Sequence, residues 1–317
     1  MRAVTAGGSR SAAPALAALA TLAMLAAVAP GCGENVVVRA APTAKQRGVA
    51  PPAGGTSNVD PLRTAAAAQS RLTITVDDTG PGTFAYHAPR HVRGGLVEIR
   101  LRNVGEVPHK AQLWRIAGDH TVGEALGRLK AGLPSHRPLP DWLFWAGGVS
   151  LTAPRATSVS LQDLRAGRYY VSATMDRPGS VASFEVAAPK AARQVPRAPA
   201  RVEMRDYAFA VSGLRAGRNS VAVDNTGAQP HLAYFARMRA GAGLADVRRF
   251  FGEKTSIGRP PVDGEQTRET AVLEGGDRQV TQLDLPAGRY ALVCFVRNRG
   301  GGPRHLELGM INEVTVR

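Results

Sequence analysis

Residues 215–231 read RAGRNSVAVDNTGAQPH, and the chain contains a second version of this sequence. The earlier version is RGGLVEIRLRNVGEVPH, residues 93–109. Farther along, LRAGRYYVSAT (164–174) matches LPAGRYALVCF (285–295) at an offset of 121. Four residue types recur at the end of the first pair, each 122 positions apart: Asn103 and Asn225, Gly105 and Gly227, Pro108 and Pro230, His109 and His231. Matches that stay in step across both blocks indicate a tandem repeat.

Each repeat has the pattern of short β-strands. LVEIRLRN (96–103) and NSVAVDN (219–225) alternate apolar and polar residues, which is typical of a strand with one buried face. Apolar residues spaced three or four apart predict one short helix in each repeat, at 122–132 and 243–254. Short strands separated by turns predict an all-β fold of two tandem Greek-key β-sandwich domains, each with a short helical insert.

The N-terminal region has the layout of an export signal. Arg2 and Arg10 precede an uncharged, Ala-rich run that ends in AVAPGC at Cys32. This layout resembles a bacterial lipoprotein signal, although Ala29 stands where such signals usually have leucine. The resemblance implies lipidation of Cys32 and a membrane-anchored protein on the periplasmic or extracellular face. The alternative is simple secretion, with Cys32 an ordinary thiol.

The domain organisation follows from the repeats and from composition. The stretch after Cys32 is rich in Ala, Pro, Gly and Ser, which predicts a flexible tether. A second Pro/Ala/Arg-rich stretch separates the two repeats. We therefore predict five segments: a signal peptide (1–31), a tether (32–70), a first domain (71–188), a linker (189–200) and a second domain (201–317).

The chain is basic, with a formal net charge of +15 carried mostly by scattered arginines. Such a surface suits an anionic partner, a membrane of anionic lipid, or solubility alone. No stripe of alternating aromatic and basic residues is present, which argues against nucleic-acid binding.

The segment CFVRNRGGGPRHLELGM (294–310) contains a set of metal-binding side chains. Cys294 is the only cysteine besides Cys32, and His305 and Met310 follow it. His231 comes from a different loop, at the end of the repeated motif. Two imidazoles, a thiolate and a weak thioether form the trigonal donor set with a long axial contact that suits copper.

These motifs resemble the cupredoxins, the plastocyanin and azurin kind of blue copper domain. NTGAQPH (225–231) matches the Asn-containing turn that ends at the first histidine. Gly288, Tyr290 and Cys294 match the G-x-Y-x-x-x-C pattern, and HLELGM (305–310) matches the last ligand loop. The resemblance implies one copper in the second domain, ligated by His231, Cys294, His305 and Met310, and a role in electron transfer.

Two features depart from the small blue copper proteins. Ten residues separate Cys294 from His305, where those proteins have only a few. The insert also contains Arg297, Arg299 and Arg304. Unscreened positive charge there would disfavour Cu(II) and raise the reduction potential. It could equally serve as a docking surface for an acidic redox partner.

Structural explanations exist for every member of this set. A cysteine in a strand is most often a small buried apolar residue, and a methionine near a last strand is usually core. The first repeat serves as an internal comparison, because His109 matches His231 but Ala173 stands in the place of Cys294. We expect no thiolate-bound copper there and a structural role for His109. The segment WLFWAGG (142–148) is expected in the core, at an inter-domain seam, or on a ligand surface.

Three functions follow from this pattern. The first is an exported, membrane-tethered copper protein that transfers electrons. The second is a metal-free binding or scaffold lipoprotein, and a copper chaperone or storage protein lies between them. An enzyme is not expected, because copper enzymes with such repeats commonly have a histidine beside the site cysteine, where this chain has Phe295.

Overall fold

The computed structural model describes residues 70–80, 82–135, 137–173, 181–189, 194–252 and 259–317. The predicted signal peptide, Cys32 and the predicted tether up to residue 69 lie outside these ranges. Within the described part of the chain, no helix combines the length and apolar character needed to cross a membrane.

The first repeat is a sandwich of two sheet layers. Strands β2, β1, β4 and β7 form one layer in that order, and β3, β9, β8, β5 and β6 form the other. A single helix, α1 (Val122–Ser135), connects β5 to β6. The strands are β1 (Ser70–Gly80), β2 (Thr83–His87), β3 (His91–Arg93), β4 (Gly95–Asn103), β5 (His109–Ile116), β6 (Leu143–Thr152), β7 (Thr157–Leu164), β8 (Gly167–Ser172) and β9 (Ala182–Ala187).

The second repeat has the same layers. Strands β11, β10, β12 and β15 form one layer, and β14, β13, β16 and β19 form the other. Helix α2 (Leu244–Gly252) occupies the place of α1, and a separate hairpin of β17 and β18 has no counterpart among the described residues of the first repeat. The strands are β10 (Ala200–Arg205), β11 (Ala208–Ser212), β12 (Gly217–Asn225), β13 (Tyr234–Met238), β14 (Val262–Glu269), β15 (Arg278–Leu285), β16 (Gly288–Val293), β17 (Arg297–Asn298), β18 (Gly301–Arg304) and β19 (Ile311–Val316).

The predicted all-β architecture, with one helical insert in each repeat, is confirmed. Helix α1 begins at the predicted residue and extends three residues beyond the predicted end at 132. Helix α2 begins one residue later than predicted, and the segment after Gly252 lies outside the described residues.

The two repeats share one continuous sheet, which the pattern of either repeat alone does not predict. Strand β7 of the first repeat pairs antiparallel with β15 of the second, and this joins the two four-stranded layers into an eight-stranded sheet. Ser160 faces Thr281 at one end of the pairing. These residues are 121 positions apart, which is the repeat offset, so an approximate twofold axis passes between them.

The outer face of this shared sheet is also covered. Leu96, Leu161, Ala222 and Val280 form a small buried cluster there, with residues of the segment before β10 packed against it. The alternating pattern of β4 and β12 predicted one buried face. Both strands are instead buried along most of their length, because the sheet continues on either side of them and the outer face is packed.

Polar contacts and Trp145 stabilise the seam between the other two layers, the β3-β9-β8-β5-β6 sheet and the β14-β13-β16-β19 sheet. The Gln112 side chain accepts a hydrogen bond from the Val272 amide at 2.7 Å and donates one to the Val272 carbonyl at 3.1 Å. Lys110 pairs with Glu269 at 3.1 Å, both largely buried. Trp145 belongs to a core cluster that contains residues of both repeats. The 142–148 segment therefore lies at an inter-domain seam, one of the three expected positions.

Candidate metal centre

The hydrogen bonds of the N-x-G-x-x-P-H motif position His231. Asn225 donates from its side-chain amide to the carbonyls of Gln229 and Leu273, at 2.8 and 2.9 Å, and accepts from the Gly227 amide at 3.1 Å. His231 itself exchanges two backbone hydrogen bonds with Leu273, at 3.0 and 2.9 Å. Because a buried asparagine closes the loop and a bridge fixes its last residue, His231 has little freedom to move.

Asn103 closes the equivalent loop of the first repeat in the same way, donating to Val107 at 2.7 Å and accepting from Gly105 at 3.0 Å. The glycine is required by a close approach. A Cβ on Gly227 would lie 2.3 Å from a carboxylate oxygen of Asp206, and one on Gly105 would lie 2.6 Å from Asp78. Each motif glycine thus leaves room for an aspartate from the preceding hairpin.

The chain that follows β16 wraps around Cys294. The Leu306 amide donates to the Cys294 carbonyl at 2.8 Å, and the Cys294 amide donates to the Met310 carbonyl at 3.2 Å. The Met310 amide in turn donates to the His305 carbonyl at 2.8 Å. These bonds hold both ends of the ligand loop against the cysteine, although ten residues separate Cys294 from His305.

Three predicted ligands meet in one fully buried cluster. The Cys294 Sγ lies 3.7 Å from His231 Nδ1 and 3.4 Å from His305 Nδ1, and the two Nδ1 atoms are 2.9 Å apart. All three side chains are 0 % exposed. Among the described residues, this is the one group of three His, Cys, Asp or Glu side chains close enough to hold a metal ion.

The far nitrogen of each imidazole contacts an acceptor oxygen. His231 Nε2 lies 2.8 Å from Asp206 Oδ1, and His305 Nε2 lies 2.9 Å from Asn298 Oδ1. A neutral imidazole has one N–H, so an acceptor at Nε2 places the hydrogen there and leaves the lone pair on Nδ1. Both lone pairs then point toward the Cys294 sulfur.

The protein environment keeps both histidines neutral. Burial lowers the pKa of His231, although the hydrogen bond to Asp206 and its charge act in the opposite direction. Burial lowers the pKa of His305 to about 3, and the neighbouring His231 adds to the shift. Burial raises the pKa of Asp206, but hydrogen bonds from Ala228, His231 and Gln229 bring it below its ordinary value. At neutral pH, two neutral imidazoles therefore stand beside a carboxylate.

This donor set fits a cation. Two nitrogen lone pairs and a sulfur face one another in a dry pocket; a thiol proton can satisfy one of the nitrogens, whereas a metal ion can satisfy both. A metal about 2.0 Å from each nitrogen and about 2.3 Å from the sulfur holds such atoms roughly 3.5 Å apart. The two edges that end at the sulfur, 3.4 and 3.7 Å, are close to that value, and the edge between the two nitrogens is shorter, at 2.9 Å. The cluster fits a single type 1 copper, for which two imidazoles and one thiolate are the characteristic ligands.

Met310 is buried and lies on the same loop. Its backbone contacts both Cys294 and His305, which places the residue beside the cluster. Its role as the axial ligand stays a prediction.

The first repeat has the histidine without the thiol. His109 Nε2 lies 2.8 Å from Asp78 Oδ1, the same contact that His231 makes with Asp206, and the ring packs on Phe84 at 4.8 Å. Ala173 follows β8 where Cys294 follows β16, and it packs against the apolar core. These contacts give His109 the structural surroundings expected from the sequence.

The arginines of the insert have partners within the protein. Arg297 is 5 % exposed, Arg299 pairs with Glu274 at 2.7 Å, and Arg304 pairs with Glu307 at 2.9 Å. The charges of Arg299 and Arg304 are therefore each screened by a carboxylate, and Asp206 adds a third carboxylate near His231. This screening weakens the effect expected from unscreened arginines, and a raised reduction potential stays a prediction.

Sequence reasoning missed three residues that contact the histidines: Asp206, Asn298 and Tyr207. Asp206 and Tyr207 form the turn between β10 and β11, and Asn298 lies in the insert. The motif glycine was the available signal for Asp206, since its lack of a Cβ leaves room for the side chain. No comparable signal pointed to Asn298 or Tyr207.

No protein-family model matches the chain, and no curated protein matches it. A reduced auracyanin from Roseiflexus castenholzii is 16% identical over 37% of this chain and 94% of its own, with a TM-score of 0.25. Auracyanin B is 22% identical over 39% of this chain and 93% of its own, also with a TM-score of 0.25. A copper-containing nitrite reductase from Thermus scotoductus is 14% identical over 78% of this chain and 61% of its own, with a TM-score of 0.20.

The chain has two cupredoxin-like domains. Structural matches with TM-scores this low carry no argument, so the assignment depends on the chain itself. Its two β-sandwiches have the same strand order. The second sandwich also has a His–Cys–His cluster, formed by the N-x-G-x-x-P-H loop and the loop after β16. The resemblance to cupredoxins expected from the sequence is confirmed.

The prediction that the chain is not an enzyme is wrong, because a catalytic role is not excluded. The matched structures include multicopper oxidases and copper nitrite reductases, which are enzymes. A cupredoxin-like fold with a copper site therefore occurs in catalysts as well as in electron carriers. Phe295 beside Cys294 does not exclude a catalytic role.

Proposed function

We propose that this chain is an exported, membrane-tethered copper protein that transfers electrons through a type 1 copper in its second repeat. The observation that supports it is the meeting of His231 Nδ1, His305 Nδ1 and Cys294 Sγ in one buried triangle. In this proposal Met310 is the weak axial ligand. Bound copper supplies a one-electron carrier that cycles between Cu(I) and Cu(II).

The chain's own residues perform three tasks in this proposal. Asp206 and Asn298 hold the two imidazoles by their far nitrogens, and orienting contacts of this kind tune the metal and its affinity. Burial keeps water from the donor atoms. The backbone hydrogen bonds of the ligand loop hold Cys294 and His305 in place, and those with Leu273 hold His231, which limits the rearrangement between oxidation states.

Metal analysis tests the proposal. We expect the purified full-length chain, supplied with Cu(II), to bind one copper, to become strongly blue, and to lose and regain the colour on reduction and reoxidation. A protein that remains colourless and metal-free would be a scaffold, which contradicts the proposal. Tight Cu(I) binding without reversible oxidation would contradict it in favour of a chaperone or storage protein.

The membrane tether rests on the N-terminal sequence. We expect bacterial cells that express the full chain to incorporate labelled fatty acid into it and to retain it in the membrane fraction. Cys32→Ala should abolish both, because the thiol is the acylation site, whereas Cys294→Ala should change neither. Label that persists in Cys32→Ala would contradict the anchor. The basic net charge suits an acidic redox protein as the partner.

A further inference from the structure

The insert between Cys294 and His305 folds into a hairpin that covers the outer edge of the site. Strands β17 and β18 pair antiparallel, with Arg299 at the tip. Asn298 Oδ1 accepts hydrogen bonds from His305 Nε2 at 2.9 Å and from the Tyr207 hydroxyl at 3.0 Å. The Tyr207 ring meets the His305 ring edge-on, with centroids 5.2 Å apart. The side of His305 that faces away from the sulfur is thus closed by protein.

The tip of this hairpin is attached to the first repeat. The Arg299 guanidinium donates to the carbonyls of Pro140 and Leu143, both at 2.8 Å, and lies 5.0 Å from the centre of the Phe144 ring. The Arg299 carbonyl accepts from the Leu139 amide at 2.8 Å. One residue therefore makes four contacts with a single segment of the other domain.

Arg299 also contacts the second repeat. Its guanidinium pairs with Glu274 at 2.7 Å, and the same carboxylate oxygen accepts from the Trp145 amide at 2.9 Å. Its backbone amide donates to the Gln229 side chain at 2.9 Å, two residues before His231. The side chains of Arg299 and Glu274 are 22 % and 14 % exposed, so this ion pair is partly shielded from water.

We propose that the first repeat acts as a clamp on the metal site of the second. Arg299 is the positioning residue: it anchors the hairpin to residues 139–144, and the anchored hairpin holds Asn298 against His305. The proposal gives a function to the first repeat, which lacks the thiol: it keeps the last histidine oriented and shielded from solvent. It rests on the proposed copper site for its effect on copper, but the anchoring of the hairpin can be measured without metal.

The first measurement uses the metal-free, full-length protein. We expect Arg299→Ala to increase amide hydrogen exchange across residues 297–305, because the hairpin loses its attachment to the first repeat. The matched control is Arg289→Ala, which removes an ion pair of the same repeat with Glu313 that lies away from the hairpin. Equal exchange in the two variants would overturn the clamp, whether or not copper binds.

The second measurement uses the copper-loaded protein and a Cu(I)-chelating dye. We expect Arg299→Ala to release copper about tenfold faster or more, as is typical when a contact that orients a ligand is lost. The control variant should release it at the wild-type rate. Faster exchange of the hairpin with unchanged copper release would overturn the clamp, because the hairpin would then be anchored without holding the site.

Two further variants separate positioning from loss of stability. Arg299→Ala leaves Glu274 buried without its cation, so the double variant Arg299→Ala/Glu274→Gln removes that cost and should still release copper quickly.

Asn298→Leu removes the acceptor at His305 Nε2, whereas Asn298→Asp keeps one. We expect fast release and an altered visible spectrum in the first, and rescue of both in the second. Equal behaviour of the two Asn298 variants would overturn the role of the hairpin. If the wild-type protein binds no copper, the proposed function fails and the exchange experiment alone decides the clamp.

Discussion

Replacing Cys294 by alanine is expected to abolish both the blue colour and equimolar copper binding. The sulfur is the only thiolate available within the cluster, and it completes a triangle whose other corners are the two Nδ1 atoms. Two imidazoles that remain cannot supply the soft, negatively charged donor that the strong colour of type 1 copper requires. Copper content and the visible spectrum of the purified variant measure the effect.

The first repeat offers a matched control for this experiment. His109→Ala changes the residue that corresponds to His231, and it also breaks a buried contact with an aspartate. We expect it to lower the free energy of unfolding while copper content and colour stay at wild-type values. His231→Ala and His305→Ala should both lose the colour. If Cys294→Ala and both of these variants kept wild-type copper, the site would lie elsewhere.

Cys294→Ala should also leave the fold intact. The side chain is a buried member of an apolar cluster, and removing one sulfur atom costs about 1 kcal/mol in free energy of unfolding. Far-ultraviolet circular dichroism and a urea titration of the metal-free protein check this. A variant that unfolded completely would show that the thiol is chiefly a structural residue.

The fold was largely predictable because it is repeated. The strand pattern of either repeat is weak alone, but the same pattern recurs 121 or 122 residues later, so each repeat supports the interpretation of the other. Each repeat also contained the strand, turn and helix signals of one sandwich. The ligand set was predictable for a related reason: His231, Cys294, His305 and Met310 occur in the order and local sequence that cupredoxins have. Three of the four meet in the structure.

What could not be predicted depends on contacts between distant parts of the chain. The pairing of β7 with β15 requires two strand edges to meet, and nothing in the composition of either strand specifies its neighbour. The insert RNRGGGPR was interpreted as a long charged loop, because three glycines in succession obscure strand propensity. Its arginines suggested an exposed surface, whereas Arg299 is turned inward to the Leu143 carbonyl and Glu274.

The second large effect is expected in acid. The folded protein holds His305 with a pKa of about 3, whereas an unfolded chain has a histidine pKa of about 6.5. Between these values the unfolded state binds a proton that the folded state does not. The stability of the metal-free protein is therefore complete above about pH 6.5 and falls as the pH drops toward 3.

The loss of stability in acid is large for one side chain. One pKa unit corresponds to about 1.4 kcal/mol, so His305 alone accounts for a loss on the order of a few kcal/mol, a large part of the stability of an ordinary domain. The lowered pKa of His231 acts in the same direction. Asp206 has a lowered pKa and adds a further loss below its unfolded value, because its carboxylate must be protonated.

Urea titrations of the metal-free protein at pH 7, 5 and 4 measure this loss, and His305→Gln isolates the histidine, since glutamine does not take up a proton. We expect the variant to lose distinctly less stability than the wild type between pH 7 and 4. Copper-loaded wild type should resist acid further than the metal-free protein, because protons must displace the metal before they reach either Nδ1. The same pH dependence in His305→Gln and wild type would contradict the burial of an uncharged His305, because His305 is the one proton-binding side chain that distinguishes the two proteins.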